Sequence, residues 1–120
     1  GIERDDKKAE ELYKLSAEGN NANAQHNYAV VLQRKGEDAA ALLWYRKASN
    51  QGLVDSTYAL GQLWHQGFHN ENGRFVRDLV LAHDFYTTAE RQGYLPAVGA
   101  LKRLIADMEL VHIEVPGTDE

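Results

Sequence analysis

The chain has 120 residues, of which 43% are hydrophobic and 26% charged, the composition of one ordinary globular domain. Its net charge of −5 disfavours nucleic acid and anionic membranes as partners, because Lys and Arg provide most of the binding to both. The absence of cysteine excludes disulfides, thiolate nucleophiles and cysteine-bound zinc, and no apolar run approaches the roughly 20 residues of a membrane span. We therefore expect neither a nucleic-acid partner nor insertion into a membrane.

The sequence predicts six helices, in chain order near 5–19, 22–35, 38–51, 54–66, 78–92 and 95–112. Asn20, Gly52 and Gly93 stand where a left-handed residue ends a helix, a position that favours glycine and, after it, asparagine. Asp38 and Asp78 precede apolar helical patterns and are predicted to be N-caps. Helix stops at regular places along the chain indicate helical hairpins.

Two segments fall outside these helices. Residues 68–77 contain the turn-forming run His-Asn-Glu-Asn-Gly, which indicates an insertion between the second and third hairpins. Phe75 and Val76 are expected to fold back against the body. Residues 113–120 are acidic and follow the last predicted helix, so we expect a disordered tail there. Because the chain starts at Gly1 and its single methionine is internal, we also expect it to be a fragment of a longer protein, and no signal peptide is visible.

One pattern precedes each of the three helix stops. It consists of a small residue, then a bulky residue and a tyrosine three and four positions later, then another small residue. The three copies are Ala9…Leu12-Tyr13…Ser16, Ala41…Trp44-Tyr45…Ala48 and Ala82…Phe85-Tyr86…Ala89. These positions share one face of a helix, so the aromatic residues of the pattern, together with Trp64, are predicted to pack in a core. Internal repetition of this kind is typical of stacked helical hairpins.

At these residues the chain resembles the Sel1-like repeat family, relatives of tetratricopeptide repeats, over nearly all of residues 8–108. The most diagnostic stretch runs from Ala41 to Gly93. Asn20 in place of a glycine and Lys102 in place of another are departures expected of end repeats. The resemblance implies an all-α fold, a right-handed α/α superhelix (solenoid) of about three helix-hairpin repeats over residues 1–112. It also implies a role as adaptor or scaffold in protein assemblies, and bacterial members of the family are often exported.

Catalytic and metal-binding motifs are missing from the sequence. Gly67 interrupts the helix between His65 and His69, and neither H-E-x-x-H nor a phosphate-binding glycine loop is present. Asn70–Gly73 is out of register for a calcium loop, which needs a carboxylate at its first position. Ser16 and Ser56 occupy positions where the repeat favours small residues, so both are interpreted as packing residues. We therefore expect no enzyme activity, no metal and no cofactor.

Projecting the helix that follows each stop by analogy with tetratricopeptide repeats gives a polar, mixed-charge concave face. Its candidate partner-binding residues are Asn23, His26, Gln33, Arg34, Asp55, Tyr58, Gln62, His65, Gln66 and Arg103. Such a surface suits hydrogen bonding to an extended peptide or a helix of another protein. Tyr58 is equally compatible with packing and with partner contact. The predicted function is a protein-binding adaptor; the alternative is a structural repeat segment of a larger protein with no ligand of its own.

Overall fold

The structure, a computed structural model, describes the backbone of residues 2–117 and the side chains of residues 6–117. Over that range it contains six helices and one short β-hairpin. The elements in chain order are α1 (Ile2–Glu18), α2 (Ala22–Arg34), α3 (Asp38–Asn50), α4 (Val54–Gln66), β1 (Phe68–His69), β2 (Phe75–Val76), α5 (Leu79–Arg91) and α6 (Pro96–Leu110). Each helix packs against the next one along the chain, which confirms the prediction of an all-α solenoid.

The same terminator ends the first helix of each hairpin. Asn20, Gly52 and Gly93 have φ of 72°, 93° and 83°, the left-handed region in which glycine and asparagine are favoured. The residue after each of them donates its N–H to a carbonyl five residues back, the bond that closes a Schellman motif. These carbonyls belong to Ser16, Ala48 and Ala89, so the closing small residue of the sequence repeat accepts the closing hydrogen bond.

The N-termini of α2, α3 and α5 differ in how they are capped. The Asp78 carboxylate accepts the N–H of Leu81 at 2.9 Å, as predicted. The prediction for Asp38 is wrong, because it is the first residue inside α3 and Glu37 stands at the cap position without a side-chain cap bond. A carboxylate in the first turn still complements the helix dipole, which accounts for an aspartate there. Asn21 caps α2, with its side chain accepting the N–H of Ala24 at 2.9 Å.

The core consists of two clusters, one under α1 to α4 and one under α4 to α6 with the C-terminal segment. Trp64 packs against both clusters and joins them. The elongated body measures 54 × 32 × 23 Å, and its radius of gyration of 15.6 Å exceeds the ~13.6 Å of a compact domain of this length. Stacked hairpins give this shape because each one buries its apolar face mainly against its neighbours.

The insertion folds into an antiparallel hairpin in which Phe68 pairs with Val76 and His69 with Phe75. The side chain of Asn70 accepts the N–H groups of Asn72 and Arg74, both at 3.0 Å, and thereby shapes the turn. Val76 packs against the first core cluster. The Phe75 ring lies over Gly67, where a Cβ would come within 2.3 Å of it.

The C-terminal segment differs from the expected disordered tail over residues 113–117. Val115 is buried and Ile113 packs beside it against the second core cluster, next to Leu79 and Tyr86. The helix ends because His112 adopts a left-handed φ of 59°, which turns the chain back onto the body. Burial of these two apolar side chains offsets the acidity of the segment. The rest of the expected tail, 118–120, lies outside the described residues.

Candidate protein-binding surface

The same contact joins successive repeats on the side formed by α2, α4 and α6, which we call the even-helix surface. The Tyr45 hydroxyl of α3 donates to the Gln33 amide oxygen of α2 at 2.8 Å. The Tyr86 hydroxyl of α5 lies 3.1 Å from Nδ1 of His65 in α4. Gln33 and His65 hold the same position relative to the preceding helix stop. Each consensus tyrosine is therefore oriented by a polar side chain of the helix before it.

About two turns earlier, a second row of aromatic side chains follows the same repeat. The ring of His26 lies 5.3 Å from that of Tyr45, and its Nδ1 is 2.7 Å from the Ser56 hydroxyl of α4. The ring of Tyr58, the repeat equivalent of His26, lies 5.5 Å from that of Tyr86 and 5.0 Å from that of Tyr94. Tyr58 is half-buried in this stack, so it packs with other aromatic residues while keeping one edge at the surface.

The third repeat contributes charged side chains to this surface. Oδ2 of Asp107 in α6 lies 2.6 Å from Nε2 of His65. Arg77 donates to the backbone carbonyl of His65 at 2.7 Å, and its guanidinium is 3.9 Å from the same Asp107 carboxylate. His65 therefore has partners on both ring nitrogens and on its carbonyl, and it is fixed in place.

Burial keeps three side chains of this surface, those of His26, Tyr45 and Tyr86, uncharged near neutral pH. It lowers the pKa of His26 from 6.5, against the opposing effect of the Asp55 carboxylate. Burial also raises the pKa of Tyr45 to about 12, with a smaller contribution from Asp38, and raises the pKa of Tyr86 well above its ordinary value. The inner layer is thus a hydrogen-bonded scaffold in which His26, Tyr45 and Tyr86 are neutral.

An outer layer of exposed polar side chains covers this scaffold. It contains Asn23 and Arg34 of α2, Asp55, Gln62 and Gln66 of α4, and Arg103 of α6. Arg34 lies close enough to Tyr45 to lower its pKa, and Arg103 does the same to Tyr86. The Asp55 carboxylate contributes to the pKa of both His26 and Tyr94, so it lies near both side chains. The surface therefore carries both cationic and anionic side chains.

The structure brings together several of the ten residues singled out in the sequence, and it adds others. His26, Gln33, Tyr58 and His65 belong to the inner scaffold, and the remaining six are exposed. Ser56 had been interpreted as a packing residue, whereas its hydroxyl is the partner of His26. Asp107 was overlooked, although it holds the repeat position of Arg34 and Gln66, and the repeat register could have identified it.

The linked side chains of Asp107, His65 and Tyr86 have the order of a proton relay but no access for a substrate. Tyr86 is only 2% exposed, so its hydroxyl cannot reach a bound molecule.

Among the described residues no group of three His, Asp or Glu side chains could hold a metal ion. No helix in the described part of the chain is long and apolar enough to cross a membrane.

The architecture defines an α/α solenoid of helical hairpins, and comparison with known proteins specifies which kind. The chain is similar to a solved structure described as a protective antigen present in uropathogenic Escherichia coli strains and displaying an SLR fold. The two share 29% identity and superpose with a TM-score of 0.73 over 82% of this chain and 21% of the antigen. The chain therefore has the Sel1-like repeat fold, as its sequence resemblance predicted, and spans about a fifth of the antigen's length. Neither protein-family models nor curated proteins match the sequence.

Proposed function

We propose that this chain is a protein-interaction module that holds a peptide or a helix of another protein on its even-helix surface. The Sel1-like repeat fold is that of a repeat protein and is commonly used for protein interaction. The observation that carries the proposal is the two-layer construction of the surface. A hydrogen-bonded inner row fixes the geometry, and the exposed row above it offers amides and both signs of charge. A preorganised polar surface loses little conformational entropy when a partner docks.

The charged side chains of the outer layer indicate which charges the partner carries. Asp55 belongs to α4, which follows α2 with Arg34 and precedes α6 with Arg103 in the stack, so a partner segment that carries one cation and two carboxylates would match all three. The amides of Gln62 and Gln66 can donate to and accept from a peptide backbone. Because these side chains are exposed, the charges contribute to specificity and association rate more than to affinity.

Affinity capture from the source cell tests this proposal with two matched variants. The triple variant Asp55→Ala/Gln62→Ala/Arg103→Ala removes exposed groups of the even-helix surface. The triple variant Asp84→Ala/Gln92→Ala/Arg46→Ala removes the same side-chain types elsewhere. A partner held by the unmodified chain and by the second variant but not by the first supports the proposal. Equal retention by both variants would contradict it.

The ends of the stack favour a second candidate function, a structural repeat segment within a larger protein. Leu12 and Leu15 of α1 are 66% and 68% exposed, and Leu95 and Leu110 at the two ends of α6 are 80% and 78% exposed. Apolar side chains on the outer faces of a solenoid are where flanking repeats or domains would pack. In that case no partner would be captured, and Leu12→Gln/Leu15→Gln would weaken attachment of a neighbouring domain in the whole protein. Under either candidate the role is non-catalytic.

A further inference from the structure

A cleft of about 850 Å³ lies away from the even-helix surface, between the first turns of α3 and the β-hairpin. We call it the aromatic cleft. Two edge-to-face aromatic pairs form its walls. Tyr28 meets Trp44 at 5.4 Å, and Trp64 meets Phe68 at 5.0 Å between ring centroids. Its volume falls within the range of about 300–1,000 Å³ that is usual for ligand sites.

The charged side chains that line the aromatic cleft all have the same sign. Glu37 and Asp38 border it at the start of α3, and Glu71 borders it at the tip of the hairpin. Among the residues that the structure describes, no Lys or Arg lines it. The nearby ammonium of Lys35 forms an ion pair with the Glu10 carboxylate at 2.6 Å. The ammonium of Lys47 lies over the Trp44 ring, 4.1 Å from the ring centroid. The cleft therefore combines aromatic walls with a rim of carboxylates.

We propose that the aromatic cleft is a second docking site, which takes an extended segment of a partner protein in which an aliphatic side chain stands beside a Lys or Arg. The aliphatic side chain would fill the space between the two aromatic pairs, where Leu43 is already 56% exposed. A Lys or Arg stem packs along aromatic surface while its charged end reaches the carboxylates of the rim. Charge complementarity selects this occupant over an acidic segment.

Tryptophan fluorescence reports directly on this site, because the chain has two tryptophans and both line the cleft. The probe is a short acetylated peptide of alternating leucine and lysine, free of Trp and Tyr. We expect a saturable change in emission that weakens as salt is added. The same peptide with glutamate for lysine, or with serine for leucine, is expected to give no saturable change. Binding of the glutamate peptide as tight as that of the lysine peptide would overturn the proposal, as would no binding of the lysine peptide.

A pair of charge-neutralised variants distinguishes binding in the aromatic cleft from attraction to the acidic surface in general. Glu37→Gln/Glu71→Gln removes two exposed carboxylates of the rim, and Glu90→Gln/Glu109→Gln removes two exposed carboxylates of α5 and α6. We expect the dissociation constant of the lysine peptide to rise about fivefold in the first variant and to stay constant in the second. Equal affinity in both variants would overturn the proposal.

Two further measurements exclude other occupants and other surfaces. Tetramethylammonium, which tests a small-cation cage, should neither change the emission nor compete with the peptide, and tighter binding than the peptide's would overturn the proposal. The variant Asp55→Ala/Gln62→Ala/Arg103→Ala should bind the lysine peptide as well as the unmodified chain does. Loss of binding there would place the peptide on the even-helix surface and overturn the cleft assignment. The two docking proposals therefore fail separately.

Discussion

The same substitution should have opposite effects in two helices of this protein. Gly61 in α4 and Gly99 in α6 are both helical glycines, and alanine in a helix interior is favoured over glycine by about 1 kcal/mol. Around Gly61, however, an added Cβ would lie 2.5 Å from Cδ1 and 2.6 Å from Cε1 of Tyr86. Around Gly99 the nearest side-chain atom is the guanidinium of Arg103 at 3.4 Å, the free end of a flexible side chain.

Tyr86 cannot move aside easily, because its ring is buried and its hydroxyl is held by His65. Overpacking of this kind costs about 1–3 kcal/mol, and the upper part of that range exceeds the helix-propensity gain. We therefore expect Gly61→Ala to lower the free energy of unfolding by about 2 kcal/mol, and Gly99→Ala to raise it by about 0.5–1 kcal/mol. For a domain of this length the corresponding Tm shifts are about 8 °C down and about 3 °C up.

Urea unfolding followed by far-UV circular dichroism measures both changes, provided the slope of the transition stays constant. A double-mutant cycle with Tyr86→Leu identifies the cause. In that background the ring is gone, so Gly61→Ala should cost little or become stabilising. Stabilisation by Gly61→Ala in the unmodified chain would refute the reasoning, because it would mean that α4 and α5 are not held together closely through this ring.

Three other perturbations test the inner row and the C-terminal segment. Burial lowers the pKa of His26, so the unfolded chain takes up a proton at higher pH than the folded chain does. The free energy of unfolding should therefore fall as the pH drops below about 6.5. In urea titrations, the His26→Asn variant should lose less stability than the unmodified chain between about pH 7.5 and about pH 5.5. Burial raises the pKa of Tyr45 to about 12, so the contribution of this tyrosine to stability is present below about pH 10 and is lost as the pH rises through about 12. Tyr45→Phe should remove one late-titrating tyrosine from the alkaline absorbance curve, and an unchanged curve would contradict the assignment. Val115→Ala should lower the free energy of unfolding by about 1–2 kcal/mol in calorimetry, whereas no change would restore the expected disordered tail.

The parts of the fold that depend on local signals could be predicted from the sequence. Asn20, Gly52 and Gly93 mark helix ends because a left-handed residue is needed there whatever the surroundings. The cap at α3 was mispredicted because Asp38, whose side chain suits a cap, is already inside the helix, and the residue before it, Glu37, makes no side-chain cap bond. The burial of Val115 depends on a contact with a distant helix, which no periodicity in the acidic tail reveals.

The candidate surface was predictable in position but not in layering. The repeat register places Gln33, His65 and the exposed residues on the same side of the stack. It does not indicate that a tyrosine hydroxyl of the following helix hydrogen-bonds to the side chain of Gln33 and of His65, because each of these hydrogen bonds joins two different helices. The aromatic cleft was still less accessible to sequence reasoning. Trp44 and Trp64 were interpreted as core residues, and their half-buried state depends on where the hairpin folds.

The position of Trp64 has a consequence for how the molecule unfolds. In a linear array each unit can in principle melt by itself, with a free energy set by its own stability and by its contacts with its neighbours. Here a single indole packs in both core clusters, so opening either cluster exposes apolar surface of the other. This shared side chain couples the two clusters, so we expect the short stack of hairpins to unfold in one cooperative transition. Replacing Trp64 should weaken the coupling, although Tyr86 would still join α5 to α4 through Gly61 and His65.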